Sequence, residues 1–571
     1  MKNFETYFSE RQIIKFLANK RAKAAKDVHD NQFLRNISRN AKKPFDPKKR
    51  EELYKLLPYR NDWIRFRKEE RIKFSNSKSL NAAQIERTVW RDHKKVLKGL
   101  KKEPEWYIRI FSLIEEIHKR ALSDQVKLLS NPRPIPVVKD EKEKTYRCIS
   151  SFDNLVEQIL ISQTAKYLTD ILDPLFEDCS FAFRSKMNQN KFTHHLSVRE
   201  IIEFKMKYRG RRLYAAECDI QKFYDTINHS VIRDRFYLMV GELKEKGKMI
   251  DKRAIDLFEA YLACYAFNTD IFPNEQKILK KNNINKGKIA WVELEEFEKV
   301  GSNIYEDRIG VPQGGALSCL IANIVLDYAD KQILEMSHRS LYYARFCDDI
   351  IIIHPQKKQC RRVYNKYLNS LKELKLIAHQ AEVFDEYGSE FWKIKSKKPY
   401  VWNRINKRHR LAKRNVPWLA FVGYQIKYDG KVRVRPSSVK KELKKQVEEA
   451  NKLIKNLPDS ESKRLKKRNI VFRFSQRLIA MSVGRVNRES TSMSWTAGFN
   501  VLKDNPVRKW QLRKLDKNRN VQISRVKKHL GRFEEFESEE VLDEKDGPRV
   551  KDYYGFKYSY YYQFVNKKGH D

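Results

Sequence analysis

The chain has few of the residues that mark a secreted or metal-stapled fold. Its seven cysteines stand apart at 148, 179, 218, 264, 319, 347 and 360. None forms a Cys-x-x-Cys pair, so neither a zinc site nor a disulfide framework is signalled. No apolar stretch approaches the length of a transmembrane helix, and Met1-Lys2-Asn3-Phe4-Glu5 lacks the apolar core of a signal peptide. No internal repeat is visible. These absences favour a reducing cytoplasm and argue against a membrane as partner. Acidic residues are also in short supply, with 74 Asp+Glu against 119 Lys+Arg and a formal net charge of +45. Hydrophobic residues make up 41% of the chain, enough for real cores, so this is a folded protein and not a basic disordered tail. Such an excess on a folded chain favours a polyanionic partner, nucleic acid before an anionic membrane surface. The 571 residues suggest about three or four domain-sized units.

Residues 1–130 are basic and carry helical periodicity, with Ile13, Ile14, Phe16 and Leu17 on one apolar face and Trp106, Ile110, Leu113, Ile114 and Ile117 on another. Runs such as Lys42-Lys43 and Lys48-Lys49-Arg50 either line a nucleic-acid path or are solvated faces. From 131 the texture changes to short strands alternating with helices. Pro134-Ile135-Pro136-Val137-Val138 and Tyr146-Arg147-Cys148-Ile149 read as two arms of a hairpin, the first an edge strand because proline is tolerated there. A helix follows, capped by Asp153 and ending at Asp173 ahead of Pro174. Leu213 to Asp219 reads as a central strand. The polar, Lys/Asn-rich stretch from Asn268 to Gly301 looks like a surface insertion. Asp429-Gly430 marks a hairpin turn, and Pro436-Ser437-Ser438 opens an amphipathic helix carrying Val439, Leu443, Val447, Ala450 and Ile454. The region up to about 535 is helical and basic, an acidic patch covers 534–545, and the last segment is rich in tyrosine from Tyr553 to Tyr562.

The chemistry is concentrated in carboxylates. Tyr342 to Ile353 contains Asp348-Asp349 between two apolar, β-prone runs, which reads as a hairpin whose tight turn presents the pair. Adjacent like charges repel and are eased by a cation, and hard oxygen ligands suit Mg²⁺. The alternative is a solvated turn. Asp219 at the end of its own strand supplies a third carboxylate. Together the three are sufficient for a two-metal nucleotidyl transferase, in which one ion lowers the pKa of a primer 3′-hydroxyl and the other holds the triphosphate. Asp225, six residues further on, is left outside the metal site as a cap for the next helix.

Three blocks resemble those of reverse transcriptases: Asp219-Ile220-Gln221-Lys222-Phe223-Tyr224-Asp225-Thr226-Ile227, Gly310-Val311-Pro312-Gln313-Gly314-Gly315-Ala316-Leu317-Ser318 and Phe346-Cys347-Asp348-Asp349. Their order and spacing agree with the family over roughly 130–455. The match takes in the finger segment near Arg147, the stretch Ser180-Phe181-Ala182-Phe183-Arg184 and the hairpin Phe421-Val422-Gly423-Tyr424, which looks like a primer grip. The resemblance implies an α+β, right-hand polymerase fold: a basic helical extension over 1–130, fingers and palm over 131–435, a basic helical thumb and C-terminal region over 436–535, and an acidic linker with a Tyr-rich tail over 536–571. It implies an RNA-directed DNA polymerase that makes cDNA from an RNA template and deoxynucleoside triphosphates. Asp219, Asp348 and Asp349 would hold two Mg²⁺ ions, replaceable by Mn²⁺. Arg147 and, more weakly, Lys144 would hold the triphosphate, although Lys144 also reads as a solvated turn residue. Tyr224 would lie beneath the incoming sugar and select deoxynucleotides, or else be a packed strand-end ring. Gln313 and Gly314 would lie along nucleotide and template.

Phe346, Cys347, Cys319 and Glu382 depart from the commoner residues of the family, and none of them removes a metal ligand. The palm and thumb patterns look closest to the bacterial group that contains mobile-intron enzymes. No HNH-type nuclease pattern, Cys/His zinc arrangement or RNase H domain is apparent. That layout resembles the domesticated reverse transcriptases of antiphage defence, which often work with a noncoding RNA. The Tyr-rich tail reads as a docked hairpin, an RNA contact or a source of a priming hydroxyl. A mobile-intron enzyme without nuclease, template-independent synthesis and a non-catalytic RNA scaffold stay open, as does a homo-oligomer.

Overall fold

A computed structural model describes residues 3–36 and 52–457, with breaks at 72, 75–76, 126, 186–191, 337–339 and 385, then 470, 471, 474, 475, 478, 502 and 505–531. Lys42-Lys43, Lys48-Lys49-Arg50, the acidic patch and the Tyr-rich segment lie outside the described residues. The chain divides into two compact units. One is 1–12, 113–422 and 426–430; the other is 13–112, 423–425 and 431–571.

The first unit is built on two sheets. Arg133–Asp140 (β1) and Thr145–Ser151 (β2) form the expected antiparallel hairpin, with Val137 opposite Arg147. The two-residue strand Lys288–Ile289 (β4) then adds parallel to β2. The second sheet runs in the order β5-β6-β3-β8-β7, where β3 is Leu213–Cys218, β5 Tyr342–Phe346, β6 Asp349–His354, β7 Ala381–Glu382 and β8 Ser396–Trp402. Its centre is apolar because β3 contributes the fully buried Ala215 and Ala216 while β6 contributes Ile350, Ile351, Ile352 and Ile353. The helices Leu155–Leu172, Ala316–Glu335 and Lys357–Glu373 carry a large share of the remaining core. The first of these ends one residue before Asp173, as Pro174 requires. Its cap is not Asp153 but Asn154, whose side chain accepts from the backbone N–H groups of Val156 and Glu157. Asp153 is instead held by Arg133 at 2.6 Å.

The stretch from Asn268 to Gly301 is not a bare surface insertion. It folds into the helices Glu275–Lys281 and Leu294–Lys299 and strand β4. Val292 and Phe297 pack with Ile309 and Ile377 in a small core of their own. The ring of Trp291 sits 4.6–5.1 Å from those of Phe267, Phe272 and Phe297. The polar composition hid this because three aromatic rings, with the buried Ile271, Ile278, Leu279, Ile289 and Val292, are enough to anchor a segment otherwise rich in lysine, glutamate and asparagine.

In the second unit, Ile13, Ile14 and Leu17 are buried as their spacing predicts, and the guanidinium of Arg21 lies 3.3 Å from the centre of the Tyr54 ring. The helices Pro436–Asn456 and Lys509–Gly531 pack together around Ala450, Leu453, Val526 and Leu530. Further along, the chain forms the short strands Trp418–Phe421 (β9), Tyr424–Lys427 (β10) and Val432–Val434 (β11). Both Val422 and Gly423 have positive φ in the tight turn ahead of β10. No described helix is long and apolar enough to cross a membrane.

Candidate active site

Strand register brings the first two carboxylates together. Cys218, the last residue of β3, pairs with Ile350 on β6, while Phe346 pairs with Asp349 across the β5–β6 hairpin. Asp219, just past β3, therefore lies beside the two-residue turn Cys347-Asp348. Cys347 adopts φ 60, a conformation costing a non-glycine residue about 1–2 kcal/mol. The turn is paid for by a buried ion pair. Arg345 and Asp330 are both fully buried and joined at 2.6 Å, and a second nitrogen of Arg345 donates to the carbonyl of Cys347 at 3.2 Å. Tyr343 adds its hydroxyl to Asp330 at 2.7 Å. Removing one partner of such a pair leaves an uncompensated buried charge. Arg345 also explains Ser180-Phe181-Ala182-Phe183-Arg184. The N–H of Phe181 donates to the Arg345 carbonyl and the N–H of Arg345 to the Cys179 carbonyl, while Arg184 is consumed by buried Asp173 at 2.8 Å.

Burial raises the Asp348 carboxyl above its ordinary value, and the charge on Asp219 raises it further. Lys395 opposes this: its ammonium lies 3.2 Å from Asp219 Oδ2 and also lowers Asp348. His379 Nε2 stands 3.7 Å from the same oxygen, and burial holds its ring below the ordinary histidine value. The backbone N–H of His379 donates to the Asp219 carbonyl at 2.9 Å. Asp349 opens β6 as an exposed residue. Among the described residues no group of three His, Cys, Asp or Glu is assembled as a ligand cluster. The donor set nevertheless fits a hard divalent cation. Two carboxylates repel one another, and the positive charge that eases them is an exposed lysine, with Asp349 next in the chain.

Tyr224 lies in the short helix Phe223–Thr226, with its hydroxyl 3.2 Å from Cys347 Sγ. Burial raises the phenol well above its ordinary value. The ring thus touches the turn that bears Asp348, and its carbonyl accepts the N–H of Val311 at 2.7 Å. Gln313 does not point freely outward: its Nε2 donates to Asp225 Oδ1 at 2.8 Å, and its backbone carbonyl accepts the N–H of Ser150 on β2 at 2.9 Å. Gly314 has φ 100, which only glycine takes at little cost. Gly315 is fixed by crowding, since a Cβ there would lie 1.8 Å from the Tyr261 hydroxyl, itself bonded to Ser318 at 2.8 Å.

Arg147 is an exposed residue of β2. Lys144 stands in the hairpin turn with φ 47, and its carbonyl accepts the N–H of Lys288 at 3.1 Å. Two further cations join Arg147. Burial pushes the Lys222 ammonium down to about 8, against the attraction of Asp225 and aided by Lys139 and Arg147. Burial pushes the Asp225 carboxyl up to about 7, opposed by the same three cations and Gln313. Asp225 does not cap the next helix, a role taken by Asn228. Sequence reasoning missed Arg345, Lys395, His379, Lys139 and Lys222. Only Arg345 carried a signal, a charge inside an apolar strand.

Residues 272–382, which carry Gln313, Gly314, Asp348 and Asp349, match the family of reverse transcriptases (RNA-dependent DNA polymerases). A comparison with curated proteins finds no match. Among solved structures, apo telomerase from Candida tropicalis aligns over 74% of this chain and 68% of its own at 13% identity, with a TM-score of 0.35. Telomerase from Candida albicans in complex with the TWJ fragment of telomeric RNA aligns over 80% and 71% at 13% identity, with a TM-score of 0.29. The chain thus carries a reverse transcriptase domain, that of an RNA-directed DNA polymerase, a nucleotidyltransferase.

Proposed function

We propose that this enzyme makes cDNA from an associated noncoding RNA in bacterial antiphage defence, by nucleotidyl transfer at Asp219, Asp348 and Asp349. The observation that carries the catalytic part is the meeting of Asp219 with the Cys347-Asp348 turn, where burial and mutual repulsion make the two carboxylates a demand for positive charge. Two Mg²⁺ ions bound there would supply activation of the 3′-hydroxyl and stabilisation of the leaving pyrophosphate. The chain's own contributions follow from geometry. Arg345 holds the turn, Tyr224 sets the floor beside it, and Arg147 with Lys139 and Lys222 offers charge-assisted hydrogen bonds to a triphosphate. The bulk of Tyr224 would exclude a 2′-hydroxyl. The noncoding RNA and the defence role rest on the resemblance of the chain's layout: a basic N-terminal extension, a basic helical C-terminal region and no nuclease pattern.

The test is labelled deoxynucleotide incorporation by protein purified with the RNA that accompanies it, compared with the double change Asp348→Ala and Asp349→Ala. Incorporation that needs Mg²⁺ and intact RNA, and falls at least about a thousandfold in the double variant, is the expected result. Sequencing the product then identifies the template. Equal inactivity of both proteins while RNA stays bound would turn the reading toward an RNA scaffold.

A further inference from the structure

None of the chemistry above gives Asp225 a task. It ties three segments together. Oδ1 accepts from Gln313 Nε2 at 2.8 Å; its carbonyl accepts from Trp291 Nε1 at 3.3 Å; and its neighbours Tyr224 and Ile227 accept the N–H groups of Val311 and Gly310 at 2.7 and 2.8 Å. Oδ2 is buried and has no hydrogen-bond partner among the described residues. Groups of both kinds face the carboxyl: Lys222 from its own turn, Lys139 and Arg147 from β1 and β2, Cys148 from β2, and Tyr265 beyond the helix Lys252–Ala263.

An amide side chain has two ends of nearly equal shape, one donating and one accepting, and its surroundings decide which faces which way. An ionised carboxylate accepts only. It therefore turns the Gln313 nitrogen inward and leaves Oε1, which takes no hydrogen bond from any described residue, as the end presented to the substrate. We infer that Asp225 is a positioning residue for nucleotide selection: it fixes Gln313 with its acceptor end outward, so that the site receives a hydrogen-bond donor of the incoming nucleotide. The inference rests on the polymerase reading and adds to it a residue that touches no substrate.

The experiment is a double-mutant cycle of Asp225→Asn and Gln313→Ala in the full-length protein with its RNA, reading both equilibrium affinity for each deoxynucleoside triphosphate and steady-state KM and kcat. Asparagine keeps the volume of aspartate but lets the amide pair either way round. The expected result is a rise in Kd and KM of about tenfold, one hydrogen bond's worth, with kcat changed less than KM, and no further rise when Asp225→Asn is added to Gln313→Ala. The wild-type KM should also climb as pH falls through about 7, where protonation lets Asp225 donate, and the Asp225→Asn profile should be flat there. Additive effects, or an unchanged affinity in a variant that unfolds cooperatively and no more easily than wild type, overturn the inference while leaving wild-type incorporation, and with it the polymerase reading, intact. A wild type that neither binds nor incorporates deoxynucleotides overturns both.

Discussion

Burial gives the Asp225 carboxyl a stability signature of known sign. Its folded value of about 7 lies above the ordinary value near 3.9 of the unfolded chain. Between those values the folded protein holds a proton that the unfolded chain has released. Stability is therefore greatest at the acid end and is lost as pH rises toward 7. Asp225→Asn, which cannot ionise, removes that loss. Chemical denaturation should find the variant gaining on wild type between pH 4 and 7 by up to a few kcal/mol and level above 7; a constant offset would place the proton elsewhere. At this scale the sequence was partly legible. The aspartates of the first and third blocks and the β5–β6 turn could be read because their neighbours are apolar and the turn is short. Lys395 beside them could not, since it approaches through tertiary folding from a position that looks like ordinary solvated charge.

Elements were read where hydrophobic periodicity and proline decide, as in the β1–β2 hairpin or the helix that ends before Asp173, and misread where a few rings outweigh composition. The 268–301 segment is the example. Its fully buried Phe297 stacks near Trp291 and packs on Val292, Ile309 and Ile377. Phe297→Ala should destabilise the protein by about 3–5 kcal/mol, readable by thermal or denaturant unfolding. A surface loop would lose almost nothing. The cap at Asn154 shows a finer limit: Asp153 and Asn154 are equally good caps by type, and only the ion pair of Asp153 with Arg133 decides between them.

For the molecule as a whole, the net charge of +45 makes a statement about binding that no single residue does. Part of it is placed on the helix Lys509–Gly531, where Arg513, Lys517, Arg525 and Lys528 line one open groove. Affinity for RNA should fall linearly in log–log form with salt, by about 0.7 in slope per phosphate contacted, which filter binding across a salt series would measure. Neutralising those four residues together should flatten the slope by about three; an unchanged slope would move the contact elsewhere. Composition favours a polyanionic partner from the start, whereas the faces that carry the charge follow from packing.

The grip of Arg345 on the Cys347 carbonyl links the Cys347-Asp348 turn to the completion of folding. The guanidinium reaches that oxygen only once the helix Ala316–Glu335 has delivered Asp330 and Asn323 to it, and the segment around Cys179 has paired with its backbone. A chain in which those stretches have not met lacks the hydrogen bond from Arg345 to the Cys347 carbonyl. The left-handed turn at Cys347 is thereby tied to three separate stretches of the chain, 179–181, 323–330 and 345, so that a change at Asp330 or Asn323 is expected to reach Asp348 without touching a carboxylate of the site.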